Sequence, residues 1–586
     1  MGETSLLQQL TRHPVRWTSI IVLVWLIGVA LLRGTFGQIG PDNDDLMRLV
    51  QVRDLLAGQS WFDLTQNRLG SNGTLMHWSR LVDLPLAALM GLFGLISTPE
   101  TAERLAIGIW PPLTALPLIA GTLYGAKRLG DDAGIAFTAI LLVVLLTQHY
   151  RFEPGAIDHH NVQFALLGCA LGLCADRKAP GLMFGFAGLA VALSVGIGVE
   201  VYFFIAVFCG AVAMCWMLWG ETYRDQAMGF SAGLVAGALG IFFLTIAPAQ
   251  YGVVACDAFS LITMLLAVIG GGGLFVAAAV ASAKSLSVRF AAMALVGLAG
   301  VACMALQAPQ CLASPLSNLG PMVTELWLNR VREAISLFAL GDMFWTQGMF
   351  VLGPQLTALV VLLLMAWRRL WPSLVAIALP LMITSVVLTI VQVRFGYFGA
   401  IFAILPMGLW IGAVFAKGRR EKEGSVAYIL PLVLALPFAW AAPGVLFSGD
   451  DPAQLAQSET CTSEQAIGHL TPLPQGMVLA TTNMSPVILA ETEHAVLTGN
   501  YHRNLTGITA ALQIVTSRPD QAREMLKQQQ IDYALFCIEP GEDAATTAYA
   551  PEGMLARLQA GETLDGTSAI KTPDEDDNWL LLRVDE

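Results

Sequence analysis

Three short stretches carry residues whose types and spacing suit chemistry. The first is Gly40-Pro-Asp-Asn-Asp-Asp45, which follows an apolar run from Trp17 to Leu32. Carboxylates beside a membrane-length run are costly without a counter-charge, and a bound cation supplies one. A solvated helix cap is the competing reading, since Asn43 or Asp44 suits the N-cap of the helical pattern that follows. The second is Asp158-His159-His160, at the mouth of another apolar run. A carboxylate and an imidazole are good ligands for a divalent cation. In extended backbone, residues i and i+2 share a face, so Asp158 and His160 converge there. Interfacial histidines making ordinary hydrogen bonds are the alternative. The third is Arg330-Val-Arg-Glu333, which reads equally as a surface salt-bridge cluster. Arg80 and Arg394 complete the set, each near an apolar run, where an arginine pairs with phosphate or carboxylate or simply snorkels.

The elements that must position these residues are set by composition. Only 13% of the 586 residues are charged, and mean hydropathy is +0.63. Soluble domains carry about 25% charged residues, so the chain reads as a polytopic membrane protein. Apolar runs of spanning length number thirteen, from 17–32 to 425–447. The run 84–97 is short and is expected to lie in the interface. With the N-terminus inside and 84–97 not spanning, Lys127-Arg128, Arg177-Lys178, Arg224, Lys284, Arg368-Arg369 and Arg419-Arg420 all fall in inner loops, as the positive-inside rule requires. The outer face then receives the first loop (33–103), the loop near 150–160, a large loop (307–346) and everything from 448 onward. Two domains are expected: a transmembrane domain, 1–447, and an external domain, 448–586.

The last part differs in character. From Asp450 onward there are 21 Asp and Glu against 7 Lys and Arg, so the remainder is close to neutral. An acidic domain on a membrane protein argues against nucleic acid as a partner. Gly476–Thr481, His494–Thr498 and Ile531–Cys537 have strand character, and 521–530 is helical, so a small α/β domain is expected. Trp579–Val584 reads as an edge strand. Of nine cysteines, Cys256, Cys311, Cys461 and Cys537 lie in polar, external segments. Cys256–Cys311 and Cys461–Cys537 are candidate bridges, though spacing does not assign the pairing.

The segment from Asn43-Asp-Asp through Arg53-Asp-Leu-Leu-Ala-Gly58 resembles the first external loop of oligosaccharyltransferase catalytic subunits. Gly155-Ala-Ile-Asp-His-His160 resembles that family's second acidic motif, and Arg330-Val-Arg-Glu333 its motif in the large external loop. Thirteen spans followed by an external domain is also that family's plan, within the wider C-type (GT-C) class of lipid-donor glycosyltransferases. The family's Trp-Trp-Asp-Tyr-Gly signature has no match; the tail offers Thr498-Gly-Asn-Tyr-His-Arg-Asn504 instead. The resemblance to the wider class is therefore the firmer one, and the acceptor stays open among lipid, glycan and protein.

This resemblance implies transfer of a sugar or oligosaccharide from a polyprenyl-phosphate or -diphosphate donor at the outer face of a bacterial inner membrane. Asp44, Asp158 and His160 would hold a divalent cation, Mg or Mn. Asp44 would act as base toward the acceptor, and Glu333 would orient or activate it. Arg394 and Arg80 would bind the donor phosphate, while His159, His502 and Arg503 would contact donor or acceptor. A lipid-linked saccharide transporter is the competing class, with Glu200 its main intramembrane acid; a catalytically inactive assembly protein is a third.

Overall fold

A computed structural model describes residues 11–313, 319–421, 426–447, 461–539, 543–573 and 577–585. The chain forms two compact units. The first comprises Met1–Ile39, Trp78–Pro315 and Glu333–Ser448; the second comprises Gly40–His77, Leu316–Arg332 and Gly449–Glu586. The expected boundary at 447/448 falls at the edge of 448–460, outside the described residues.

The first unit is helical. Among the described residues, eight stretches are long and apolar enough to cross a membrane, and Tyr428–Leu434 with Pro437–Leu446, bent by 70°, forms a broken span or a re-entrant loop. The stretch Val199–Thr245 holds two helices, Tyr202–Trp219 and Arg224–Thr245. Asp132–Gln148, His160–Cys174 and Gly181–Ile197 are shorter apolar helices. Segments this apolar satisfy their backbone internally as helices, and the chain is a multi-pass membrane protein. The run near 84–97 forms the helix Arg80–Gly94, capped by Ser79.

Small residues set the closest packing. Helices Gly181–Ile197 and Arg224–Thr245 approach so tightly that a Cβ on Gly188 would lie 2.0 Å from the Phe230 carbonyl oxygen. On Gly233 it would lie 1.9 Å from the Gly185 carbonyl oxygen. In lipid, where burial of apolar surface gives helices no drive to associate, such close approach supplies the contact energy.

The second unit is built on a five-stranded sheet. Its strands are β3 (Met477–Leu479), β4 (Ala495–Val496), β5 (Tyr533–Cys537), β6 (Thr567–Lys571) and β7 (Trp579–Val584), after a small hairpin of β1 (Thr65–Gln66) and β2 (Thr74–Leu75). Sheet order is β4-β3-β5-β7-β6, with β3 parallel to β4 and β5, and β7 antiparallel to β5 and β6. Strand β7 is therefore interior, not an edge. Its first four residues are buried, which an edge position would not provide. The strand missed by sequence reading, β6, is the polar edge that covers it.

Residues 40–77 belong to this unit through specific bonds. Val496 accepts a backbone hydrogen bond from the Gly70 N–H and donates its own N–H to the Arg68 carbonyl, extending the sheet beyond β4. The Arg68 guanidinium donates to the carbonyls of Leu489 and Thr492, both at 2.7 Å. Helix Asn43–Leu56 lies against helix Ser485–Glu491, and Arg53 donates to the Ala490 carbonyl. From 316–332, Val323 and Trp327 pack on Ile508, and Trp327 Nε1 donates to Asn500 at 2.8 Å. Both candidate disulfides, Cys256–Cys311 and Cys461–Cys537, are formed.

Candidate active site

The loop that carries the Asp-His-His motif begins where helix Asp132–Gln148 ends at His149. One 3₁₀ turn, Tyr150–Phe152, leads to Gly155, whose φ of +104° a side chain would resist. That turn returns the chain so that Asp158 precedes helix His160–Cys174. Asn161 ties the loop down by donating to the carbonyls of Arg151 and Ala156.

Asp158 is the centre of a buried network. Its Oδ1 meets His159 Nδ1 at 2.5 Å, its Oδ2 contacts His160 Nδ1, and Arg151 Nη1 stands 3.6 Å from Oδ2. Burial alone would raise the Asp158 pKa, but the charges and hydrogen bonds of His159 and His160 hold it well below the usual carboxylate range. His159 spans two acids, with Nε2 2.9 Å from Glu200 Oε1. Burial works against charge on His159, yet Asp158 and Glu200 together lift its pKa to about 10. Arg151, only 3% exposed, makes a 2.7 Å ion pair with Glu333 Oε1.

The predicted residues fall as follows. Asp158, His159, His160 and Glu333 meet in this one network. Arg394 sits in the turn Val393–Phe395, donating to Gln392 at 3.1 Å. Arg80 is buried in the first turn of its helix and pairs with Asp83 at 3.1 Å. Asp44, His502 and Arg503 lie in the second unit. Asp44 is in the first turn of Asn43–Leu56; the N-cap is Asp42, whose Oδ1 accepts from the Asp44 N–H at 3.0 Å, so neither Asn43 nor Asp44 caps the helix. Arg503 donates to the carbonyls of Leu75 and Met76, and the His502 ring stands 4.5 Å from His77. Sequence reading assigned no role to Arg151 and treated Glu200 only as a transporter's acid. Arg151's proximity to the Asp-His-His motif was the one signal available; the Glu200 contact joins residues 41 positions apart.

Among the described residues, two groups bring metal-capable side chains together: Asp158-His159-His160, and Cys461, Cys537 and Glu539. The second is not a metal site, because its cysteines are bonded to each other. In the first, one ligand atom from each residue lies within 4.8 Å of the others. His159 has both nitrogens engaged by carboxylates, leaving Asp158 and His160 as the available donors. A buried carboxylate with an adjacent imidazole fits a divalent cation.

No protein-family profile matches the chain, and no curated protein matches it in sequence. Solved structures do match. The apo oligosaccharyltransferase of Archaeoglobus fulgidus superposes with a TM-score of 0.71 at 14% identity, over 97% of this chain and 81% of that one. The same organism's oligosaccharyltransferase AglB, in complex with an inhibitory peptide and a dolichol-phosphate, gives 0.66 at 14% identity, over 94% and 72%. The A. fulgidus enzyme in complex with Zn and sulfate gives 0.64 at 14% identity, over 96% and 79%. The chain therefore has the C-type glycosyltransferase fold in its oligosaccharyltransferase form.

Proposed function

We propose that the protein is a glycosyltransferase that moves a sugar or oligosaccharide from a polyprenyl-phosphate or -diphosphate donor to an acceptor at the external membrane face. The observation that carries this reading is the buried Asp158-His159-His160 network with Arg151 and Glu333, set in the fold of enzymes solved with dolichol-phosphate and with Zn and sulfate. Nothing in a purely structural salt bridge calls for an Asp-His-His sequence held beneath a guanidinium at a helix mouth.

The residues divide the work. Asp158 and His160 supply cation ligands, and Asp44, on its motif, is proposed as a further ligand and as base toward the acceptor. A divalent cation bound here would neutralise the phosphate charge that develops as the donor's glycosidic bond breaks. Glu200 and Asp158 fix the His159 ring from both sides, and with it the Asp158 carboxylate. Arg151 orients Glu333, the proposed acceptor contact. Arg394 and Arg80 are proposed for the donor phosphate, and His502 and Arg503 for donor or acceptor. We further propose a bacterial inner membrane as its location and, on the charges of its loops, a cytoplasmic N-terminus with residues from 448 external.

The test is metal-dependent hydrolysis or transfer from a panel of polyprenyl-phosphate and -diphosphate sugars, with wild type beside Asp44→Ala and Asp158→Ala. Activity that requires the ion and disappears in both variants supports the proposal. A folded wild type no more active than either variant on every donor overturns it.

A further inference from the structure

The turn Gly220–Tyr223, between helices Tyr202–Trp219 and Arg224–Thr245, shares no residue with the network above. Gly220 has a φ of +54°, where a side chain is strained. A Cβ built there would overlap Arg289 Nη1 and lie 2.7 Å from the Ser282 carbonyl oxygen. The Arg289 guanidinium therefore fills the space that a side chain at position 220 would take. Next to it, the Arg177 guanidinium lies over the Trp219 ring, 5.3 Å from its centroid. Gln226 Nε2 donates to the Ala179 carbonyl at 2.9 Å, and Trp216 Nε1 to Ser282 Oγ at 2.8 Å. Three loops, 175–180, 220–223 and 282–285, are thereby tied together. All three fall on the inner face by the charges of their basic residues.

Charge at this junction is unbalanced. Asp176, beside Arg177 in sequence, is held by Arg128 at 2.6 and 2.9 Å. Arg224 reaches Glu221 only at 3.7 Å, and among the described residues neither Arg177 nor Arg289 has a carboxylate within ion-pair distance. The buried Nε atoms of Arg224 and Arg289 have no hydrogen-bond partner among the described residues. Both arginines also sit in the first turn of a long helix, where a cation opposes the helix dipole. Lys178 and Lys284 lie on the same loops, and Glu221 and Asp225 are the acids set against this excess. Converging guanidinium groups without carboxylates are suited to an anion with several acceptor oxygens.

The surroundings select the anion. Leu218, beside Trp219, and Leu286 and Phe290, either side of Arg289, are each more than half exposed on stretches of membrane-spanning length. In a bilayer such side chains meet acyl chains, so an anion bound at these arginines is one that brings acyl chains of its own. We propose that the junction binds the phosphate of an anionic phospholipid from the inner leaflet, held by Arg289 and Arg177 with Trp219 at headgroup depth. The lipid is neither donor nor acceptor of a sugar; it bridges three loops and neutralises their charge. The proposal rests on the inner-face placement of these loops and not on the transferase reading.

The experiment measures binding of three probes to the full-length protein in detergent by native mass spectrometry: phosphatidylglycerol, phosphatidylcholine with the same acyl chains, and glycerol 3-phosphate. Wild type should retain phosphatidylglycerol over phosphatidylcholine and bind glycerol 3-phosphate far more weakly. Arg289→Gln and Arg177→Gln should each weaken phosphatidylglycerol about fivefold, the worth of one basic residue at an anionic surface, and leave phosphatidylcholine unchanged. The two are read separately, so that a variant without a monodisperse peak leaves the other as the test. Arg368→Gln with Arg369→Gln removes two charges from a different inner loop and should leave phosphatidylglycerol affinity unchanged. If that control loses as much affinity as Arg289→Gln, the preference belongs to the basic inner face at large and the inference falls. Glycerol 3-phosphate bound as tightly as phosphatidylglycerol would make this a soluble-phosphate site and overturn the lipid assignment. A wild type that does not distinguish the two lipids overturns it as well, and none of these outcomes bears on sugar transfer.

Discussion

Replacing Glu333 by Gln tests whether Arg151 and Glu333 act as one unit. The carboxylate is 40% exposed on its own side chain, while its partner guanidinium is 3% exposed. Removing one member of a fully buried ion pair costs about 3–5 kcal/mol, whereas a fully exposed pair is worth roughly 0–1 kcal/mol. Partial exposure places this pair between the two, at about 1–2 kcal/mol. Glu333→Gln should therefore lower kcat/KM for sugar transfer by about 5- to 30-fold. Arg151→Met should do more, because Asp158 also loses the guanidinium standing 3.6 Å from its Oδ2. The informative protein is the double variant. If Glu333 works through Arg151, the two losses overlap, and the cycle returns a coupling of about 1–2 kcal/mol. Measuring kcat/KM for the four proteins on one lipid-linked donor closes the cycle. Additivity within about 0.5 kcal/mol would refute the reasoning and make the Arg151–Glu333 contact incidental to transfer.

Other consequences are as direct. Asp158→Asn should abolish the dependence of transfer on divalent cation and lower activity by at least about a hundredfold, read by titrating metal into chelated enzyme. Gly188→Val should prevent the helix pair from docking, since its Cβ meets the Phe230 carbonyl oxygen; the readout is loss of a monodisperse peak in detergent. Cys461–Cys537 spans 76 residues, and chain-entropy arguments value such a link at roughly 4–5 kcal/mol, so Cys461→Ser with Cys537→Ser should make the sheet unit far more sensitive to limited proteolysis. His149, buried and neutral, takes no proton in the folded state until about pH 3, while an unfolded histidine takes one near pH 6.5. Stability should therefore fall as pH drops below about 6.5, and His149→Phe should flatten that slope in thermal melts taken between neutral and mildly acidic pH.

The Asp-His-His motif was legible because charge is conspicuous in so apolar a chain, and the three adjacent residues do meet. The four bridging cysteines were legible for a similar reason, as the cysteines left over in polar segments, while their pairing came from the structure. The partners were not legible. Glu200 reaches His159 from another helix mouth, and Arg151 looked like one arginine among many until burial set it apart. In the sheet, β3, β4 and β5 were legible in Gly476–Thr481, His494–Thr498 and Ile531–Cys537, though β3 and β4 are only three and two residues long. β6 is polar and mostly exposed, and its pairing with β7 made a supposed edge strand interior. Least legible was the allegiance of residues 40–77. Arg68 finds its acceptors more than 420 positions away, and no local pattern encodes that.

That allegiance also sets a timetable. The segment 40–77 is synthesised about 500 residues before β7, the strand that completes the middle of its sheet. At translation rates of about 5–20 residues per second, that interval is roughly 25–100 s. For most of it, Arg68 lacks the three carbonyls it later binds, and helix Asn43–Leu56 lacks the helix it later packs against. The membrane helices in between are born and inserted while this early segment waits. Biogenesis of the protein is thus split, its first polar segment among the last to reach its final structure, and a protease or holdase acting in that window would recognise a segment that the finished protein no longer presents.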